Sequence, residues 1–148
     1  MNSQLFIDAY GLKPSKEKMD IPPDPAQIKT VEAWIQLHCK HIKTLNRRHY
    51  SYGLKHRAEQ WGRFMNDYFH TDILSSYVSN GAFIQAALNL GYIPSPIGNT
   101  FNAYFRMGVR PPNDKDEIIM ESEFGKKIDF PAFEQRQAAC PVGACEDI

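Results

Sequence analysis

The chain has little of what marks a secreted, membrane-spanning or disulfide-rich protein. It contains three cysteines in 148 residues, and a small, odd number does not form a disulfide framework. It has no apolar run near the roughly 20 residues that a bilayer-spanning helix needs. Its first ten residues carry no basic stretch followed by an apolar core, so we expect no secretory signal and predict a cytoplasmic location.

An excess of charge of either sign is also missing. Seventeen Lys and Arg balance seventeen Asp and Glu, which argues against coating of nucleic acid by bulk charge but leaves room for a local basic face. Hydrophobic residues make up 43% of the chain and aromatic residues 12%, which predicts a folded domain rather than disorder. The length fits one domain with its own core.

The signatures of common enzyme families are absent: there is no nucleophile elbow, P-loop or dinucleotide fingerprint. One enzyme hypothesis is a metal-free nuclease, in which His49, Lys55 and His56 with Arg48 move protons and stabilise a charged phosphorane. The same side chains suit phosphate contact without chemistry. We therefore expect a non-catalytic protein without a cofactor.

Metal binding has candidate ligands in His38, Cys39 and His41, and in Cys140 and Cys145. Zinc needs four converging ligands, but neighbouring residues on a helix point about 100° apart. We therefore predict no metal site. The sequence leaves open whether the two C-terminal cysteines bind metal, form a disulfide or stay free.

Hydrophobic spacing predicts three principal helices. The first starts at Asp24, a good N-cap, and its apolar stripe continues to about Asn46. The second extends from about Ser51 to Phe69. The third follows a Ser79 cap and covers residues 80–90. A short turn of helix is also expected over residues 72–77.

After the third helix the apolar period changes to two, which is the strongest strand signal in the chain, over residues 101–110. Gly98 and Asn99 suit a tight turn before it. Tyr92–Ile97 would then be the partner strand, restricted to a sheet edge by Pro94 and Pro96. Because helix, helix, hairpin is the order of a winged helix-turn-helix, we predict an α+β, winged-helix-like fold.

The chain divides by composition into three regions. Residues 1–23 are an N-terminal arm, residues 24–110 a helical core with the hairpin, and residues 111–148 an acidic C-terminal extension. Positive charge gathers in residues 40–63, with seven Lys or Arg against Glu59. The two charged blocks are either solvated faces, or a basic binding face and an acidic segment that covers it or meets a basic partner.

The basic block predicts a nucleic-acid interface. Lys and Arg contact phosphates, and tyrosines stack on bases. The third helix, which would enter the major groove, offers Asn and Gln but no cation. Glu59 is placed to pair with Lys55 and Arg63. The candidate contact residues are Arg47, Arg48, Tyr50, Tyr52, Lys55, His56, Arg57, Arg63, Arg106 and Arg110.

Four segments carry a resemblance to a protein group: residues 48–56, residues 77–84, Gly91-Tyr92 and Asn102-Ala103. Together with the residues between them they cover roughly two fifths of the chain. They resemble small uncharacterised proteins carried on bacterial plasmids, phages and integrative elements. The resemblance implies a mobile-element setting and no particular activity or site residue.

These observations predict a non-catalytic, nucleic-acid-binding accessory protein of a bacterial mobile element. The alternative is an anti-defence inhibitor of the anti-CRISPR type, which binds a host immune protein or nucleoprotein complex through its acidic region and exposed tyrosines. The choice between DNA and RNA, the host target and the oligomeric state stay open.

Overall fold

Three helices and two small antiparallel sheets form the fold in the computed structural model, which describes residues 5–111. The predicted α+β class, with three principal helices and a hairpin, is confirmed. A short 3-10 helix, Lys16–Lys18, precedes the first helix. In chain order the other elements are β1 Phe6–Asp8, β2 Gly11–Lys13, α1 Pro25–His38, β3 Cys39–Asn46, α2 Ser51–Phe69, α3 Asn80–Asn89, β4 Ser95–Pro96 and β5 Ala103–Val109.

The first helix starts where the sequence predicts but ends earlier. The Asp24 carboxylate accepts the amide N–H of Ala26 as an N-cap. The prediction that α1 continues to Asn46 is wrong, because the chain becomes strand β3 directly after His38. Residues 39–46 keep a helical apolar spacing, but pairing with β5 gives their backbone a ladder of partners, and tertiary pairing overrides local preference.

The second and third helices follow their predicted bounds closely. Helix α2 covers the predicted range, and the Ser79 hydroxyl caps α3 by accepting the amide N–H of Ala82 at 3.0 Å. The turn of helix expected over residues 72–77 is absent. There the side chain of Asn66 bonds both the N–H and the C=O of Leu74, which holds the connection in a non-helical path.

The predicted hairpin is present but short on its first strand. Ser95 and Pro96 pair with Tyr104 and Ala103, and Val109 at the far end of β5 pairs with Cys39 of β3. The strand order is therefore β3-β5-β4, with β5 in the centre. Pro94 and Pro96 have no N–H to donate to a strand ladder, and the pairing in the 92–97 segment is limited to Ser95 and Pro96.

Helix α3 is the central helix of the described fold and has little free surface. Most of its side chains are buried, including Phe83 and Ile84, and it packs against α1, α2 and the β1–β2 hairpin. Asn89 is the exposed residue of the helix. The connection from α2 covers residues 70–79, longer than the usual 3–4-residue helix-turn-helix connection. The winged-helix likeness stays a prediction.

The β1–β2 hairpin docks directly on the N-terminal end of α3. Ile7 and Leu12 join the hydrophobic core, and the N–H of Gly81 donates to the C=O of Ala9 at 3.1 Å. A Cβ on Gly81 would overlap the carbonyl oxygen of Asp8. Glycine at position 81 therefore permits this close backbone approach.

No helix within residues 5–111 combines the length and apolar character needed to cross a bilayer. The sequence also predicts a short strand at residues 118–120 and a closing helix at residues 129–139 of the acidic extension. Both lie outside the described residues, as do most of the acidic extension and Cys140 and Cys145.

Candidate nucleic-acid interface and aromatic cleft

The predicted contact residues divide between two surfaces. The first, here called the basic sheet surface, consists of exposed cations on β3, on β5 and at their ends: Lys40, Lys43, Arg47, Arg48, Arg106 and Arg110. The second, here called the aromatic cleft, is a surface cleft of about 1000 Å³ whose lining includes Tyr52, Lys55, His56 and Arg63. Tyr50 and Arg57 line neither.

The outward face of the β3–β5 ladder carries the first surface. Lys40 pairs with Gly108 across the ladder, and paired residues project to the same face. The Lys40 side chain lies over Gly108, 3.3 Å from where a Cβ there would be. Arg106 and Arg110 flank Gly108 at two-residue spacing and therefore share its face, while Phe105 and Met107 point into the core. The guanidinium of Arg106 also donates to the C=O of Lys43 at 3.0 Å.

The turn from β3 to α2 extends this surface. The Asn46 side chain donates to the C=O of Met107 at 2.9 Å and accepts the N–H of Arg48 at 3.0 Å, which fixes the start of the turn against β5. The pKa of His49 is lowered from its ordinary value of 6.5 by partial burial and by the positive charges of Arg57 and Arg48. Positive charge therefore converges at this turn.

The basic sheet surface has no acidic residue in its own elements. No Asp or Glu occurs between Glu32 and Glu59, or between Asp72 and Asp114, and these stretches contain β3, β4, β5 and the turn before α2. Within residues 5–111, no ion pair involves any of its six cations. The surface is therefore a local positive patch on a chain with zero formal net charge.

Two of the predicted contact residues have other partners. Arg57 is half-buried, donates Nη2–H to the C=O of Arg110 at 2.6 Å, and lies over the Trp34 ring at 5.8 Å. Arg57 therefore connects α2 to the residue that follows β5. Its positive charge also lies near His49, whose pKa it lowers. Tyr50 is exposed at the N-cap of α2, with its ring near Gly53.

The aromatic cleft is assembled from four separate segments. Helix α2 provides one side, and the α2–α3 connection contributes Tyr77. The β1–β2 turn contributes Tyr10, and the loop before β5 contributes residues 99–102. Asn80 connects the β1–β2 turn to the loop before β5. Its Nδ2 donates to the C=O groups of Tyr10 and Phe101 and to the Asn102 side chain.

A buried carboxylate organises the α2 side of the cleft. Glu59 Oε2 accepts Lys55 Nζ at 3.2 Å and the Val78 N–H at 2.8 Å, and Oε1 accepts His56 Nδ1–H at 2.9 Å. Burial by itself would raise the pKa of Glu59, but these donors lower it below 4.5. Glu59 therefore stays ionised, and His56 has its Nε2 atom left for another partner.

The predicted pair of Glu59 with Lys55 is confirmed. The predicted pair of Glu59 with Arg63 is not formed, because Arg63 instead donates Nη1–H to the C=O of Ser76 at 2.8 Å. Lys55 is 5% exposed. The predicted partner of Lys55 is therefore correct, but the prediction that Lys55 lies on an exposed basic face is wrong.

The candidate metal ligands do not converge in the described part of the chain, where no group of His, Cys, Asp and Glu is arranged to hold an ion. His38 Nδ1 bonds the C=O of Trp34 and His41 Nε2 bonds the C=O of Leu90. Burial raises the pKa of Cys39 to about 12, with the positive charge of Arg57 opposing the shift. Its thiol is therefore protonated and unreactive at neutral pH.

Sequence reasoning did not place several members of either surface among the contact residues. Lys40 and Lys43 belong to the basic block of residues 40–63, but only the pairing of β3 with β5 shows that they lie on the basic sheet surface. Tyr10, Tyr77 and Phe101 reach the cleft from segments far apart in sequence, so no local pattern signals that they meet.

Comparison with known proteins provides no further guide. No family model matches the chain, and neither a curated protein sequence nor a solved structure shows significant similarity to it.

Proposed function

We propose that this protein binds nucleic acid through the basic sheet surface, without catalysis, as an accessory protein of a bacterial mobile element. The observation that carries the proposal is the alignment of exposed Lys40, Arg106 and Arg110 on one sheet face, continued by Arg47 and Arg48 at its end. Phosphate contacts need cations with reach and no competing carboxylate nearby, and the elements of this surface contain none.

The binding mode differs from that of a recognition helix. Helix α3 is buried, and its polar side chains bond one another or the fold: Gln85 donates to Asn89, and Asn89 donates to Glu32. We therefore propose that the sheet and the turn before α2 contact the backbone of the nucleic acid. Tyr104, half-buried on the outward face of β5, is available to stack on a base.

The test is a fluorescence-anisotropy titration of the full chain against labelled duplex DNA, single-stranded DNA and RNA, between about 50 and about 200 mM salt. We expect affinity to fall steeply with salt, by a slope of about −0.9 per phosphate contact on duplex DNA. Arg48→Glu with Arg106→Glu should weaken binding at least about tenfold and reduce the slope by about 2.

A matched control has the same change in charge elsewhere. Lys16→Glu with Lys18→Glu alters two exposed lysines of the 3-10 helix, which is not part of the basic sheet surface. Equal losses in the two double variants would show that only total charge matters and would contradict the proposal, as would no binding at low salt. Arg57 is a poor choice for this test, because its contacts with Arg110 and Trp34 support the fold.

Inhibition of a host immune complex remains a separate prediction from the sequence. The acidic segment on which it depends lies outside the described residues.

A further inference from the structure

The aromatic cleft concentrates large exposed rings in one place. Four aromatic side chains that line it are between 44% and 58% exposed: Tyr10, Tyr52, Tyr77 and Phe101. A cluster of exposed apolar surface in a soluble domain commonly marks a binding site. Tyrosine and phenylalanine rings offer flat faces on which a planar aromatic ligand such as a nucleobase stacks.

Each of two lysine ammonium groups lies close to two of these aromatic rings. Lys55 Nζ lies 5.1 Å from the ring centre of Tyr52 and 4.8 Å from that of Tyr77. Lys13 Nζ lies 5.2 Å from the ring centre of Tyr10 and 4.1 Å from that of Phe101. Cation–π attraction restrains the rings, which reduces the ordering cost of binding.

The same cleft also contains a group that can bind an anion, the guanidinium of Arg63. Two lysines close to the aromatic rings are already paired with carboxylates. Lys55 offsets the charge of Glu59, and Lys13 is paired with Asp8 at 3.5 Å. Arg63 is exposed and uses one N–H for Ser76, while a guanidinium has five. His56 donates Nδ1–H to Glu59, so Nε2 of the neutral ring is a hydrogen-bond acceptor and not a donor to an anion. The cleft therefore joins stacking surfaces to the exposed guanidinium of Arg63, at a volume near the upper end for small-ligand sites, about 1000 Å³.

We propose that the aromatic cleft binds a nucleotide, with its base on the tyrosine rings and its phosphate beside Arg63. The nucleotide is either free or one unit of a strand, since the recognised chemistry is the same. This site is distinct from the basic sheet surface and does not depend on the function proposed above.

Isothermal titration calorimetry of the full chain tests the proposal with adenosine and uridine 5′-monophosphates, adenosine and inorganic phosphate. We expect both monophosphates to bind at least about tenfold more tightly than adenosine or phosphate, because base and phosphate are recognised together. Tyr77→Ala should weaken monophosphate binding at least about fivefold through the lost stacking surface. Tyr77 is 58% exposed, so the variant should keep its fold.

Tyr68→Ala is the matched control, because Tyr68 is 49% exposed and lies outside the cleft. No monophosphate binding at millimolar concentration would overturn the proposal, and so would equal losses in the Tyr77 and Tyr68 variants.

A 5′-phosphorylated tetranucleotide distinguishes the two sources of the ligand. Tighter binding than the monophosphate, with the same dependence on Tyr77, supports a strand; equal or weaker binding supports a free nucleotide. Arg48→Glu with Arg106→Glu should leave monophosphate affinity unchanged, so failure of either proposal can be recognised separately.

Discussion

Lys55 Nζ lies 3.2 Å from Glu59 Oε2, and both side chains are buried on α2. Lys55 belongs to the basic block of the sequence, but in the structure its charge is paired inside the protein and is not presented to an outside partner. Because the carboxylate also accepts the Val78 N–H and the His56 Nδ1–H, it connects α2 to the segment that leads into α3.

We predict that Glu59→Gln destabilises the protein by about 3 kcal/mol, because it leaves the Lys55 ammonium without its counter-charge. Urea denaturation at neutral pH measures the change. His56→Gln is the control and should cost less than about 1 kcal/mol, since the His56 side chain is about half exposed. Similar losses in the two variants would contradict the structural role given to Glu59.

The same carboxylate predicts a pH dependence of stability. Its pKa is lowered in the folded protein, so the unfolded chain binds the proton more readily. Its contribution is therefore present above about pH 4.5, the ordinary value, and is lost as the pH falls through the lower folded pKa. The wild-type protein should lose more stability than Glu59→Gln over that range in urea titrations at several pH values.

We predict that Gly81→Ala destabilises the protein by about 3 kcal/mol, because its methyl group would displace the Asp8 backbone and the β1–β2 hairpin. Gly53→Ala is the control: the new Cβ would lie 3.5 Å from Tyr50, an ordinary contact, and should stabilise α2 by about 0.5–1 kcal/mol. Urea denaturation compares the two. If Gly81→Ala is as stable as the wild-type protein, the hairpin is not docked as described.

We predict that nucleic-acid affinity rises as the pH falls from about 7.5 to about 5.5. His49 has a lowered pKa in the free protein. A bound phosphate would raise that pKa, so the complex takes up a proton and acid favours it. Fluorescence anisotropy at constant ionic strength measures the effect.

His49→Gln should flatten this pH dependence. His70→Asn is the control: His70 is exposed and has a positive φ of 53°, a conformation that asparagine tolerates. The same pH profile in wild type and His49→Gln would contradict a phosphate at this turn.

Local patterns carried much of the secondary structure. The Asp24 and Ser79 caps, the apolar repeat of α2 and the alternation along β5 each predict an element that the structure contains. These signals depend on residues a few positions apart, so the sequence displays them directly.

The failure at β3 has a different origin. Residues 39–46 carry an apolar spacing that fits a helix, but whether they form a strand depends on pairing with β5, whose residues lie far along the chain, as in the pairs Cys39–Val109 and Asn46–Phe105. No local pattern contains that partner. The same strand pairing places Lys40 on the same face as Arg106 and Arg110. The basic sheet surface therefore could not be predicted from residue spacing along the chain.

The sequence by itself determined the α+β class, the bounds of α2, the start of α3, and the charge that gathers in residues 40–63. Tertiary structure alone decided which of those charges remain exposed, because burial and pairing place Lys55 on Glu59 and Arg57 on Arg110. It also decided that Tyr10, Tyr52, Tyr77 and Phe101 share one cleft. Their convergence depends on long-range packing, which residue spacing along the chain does not encode.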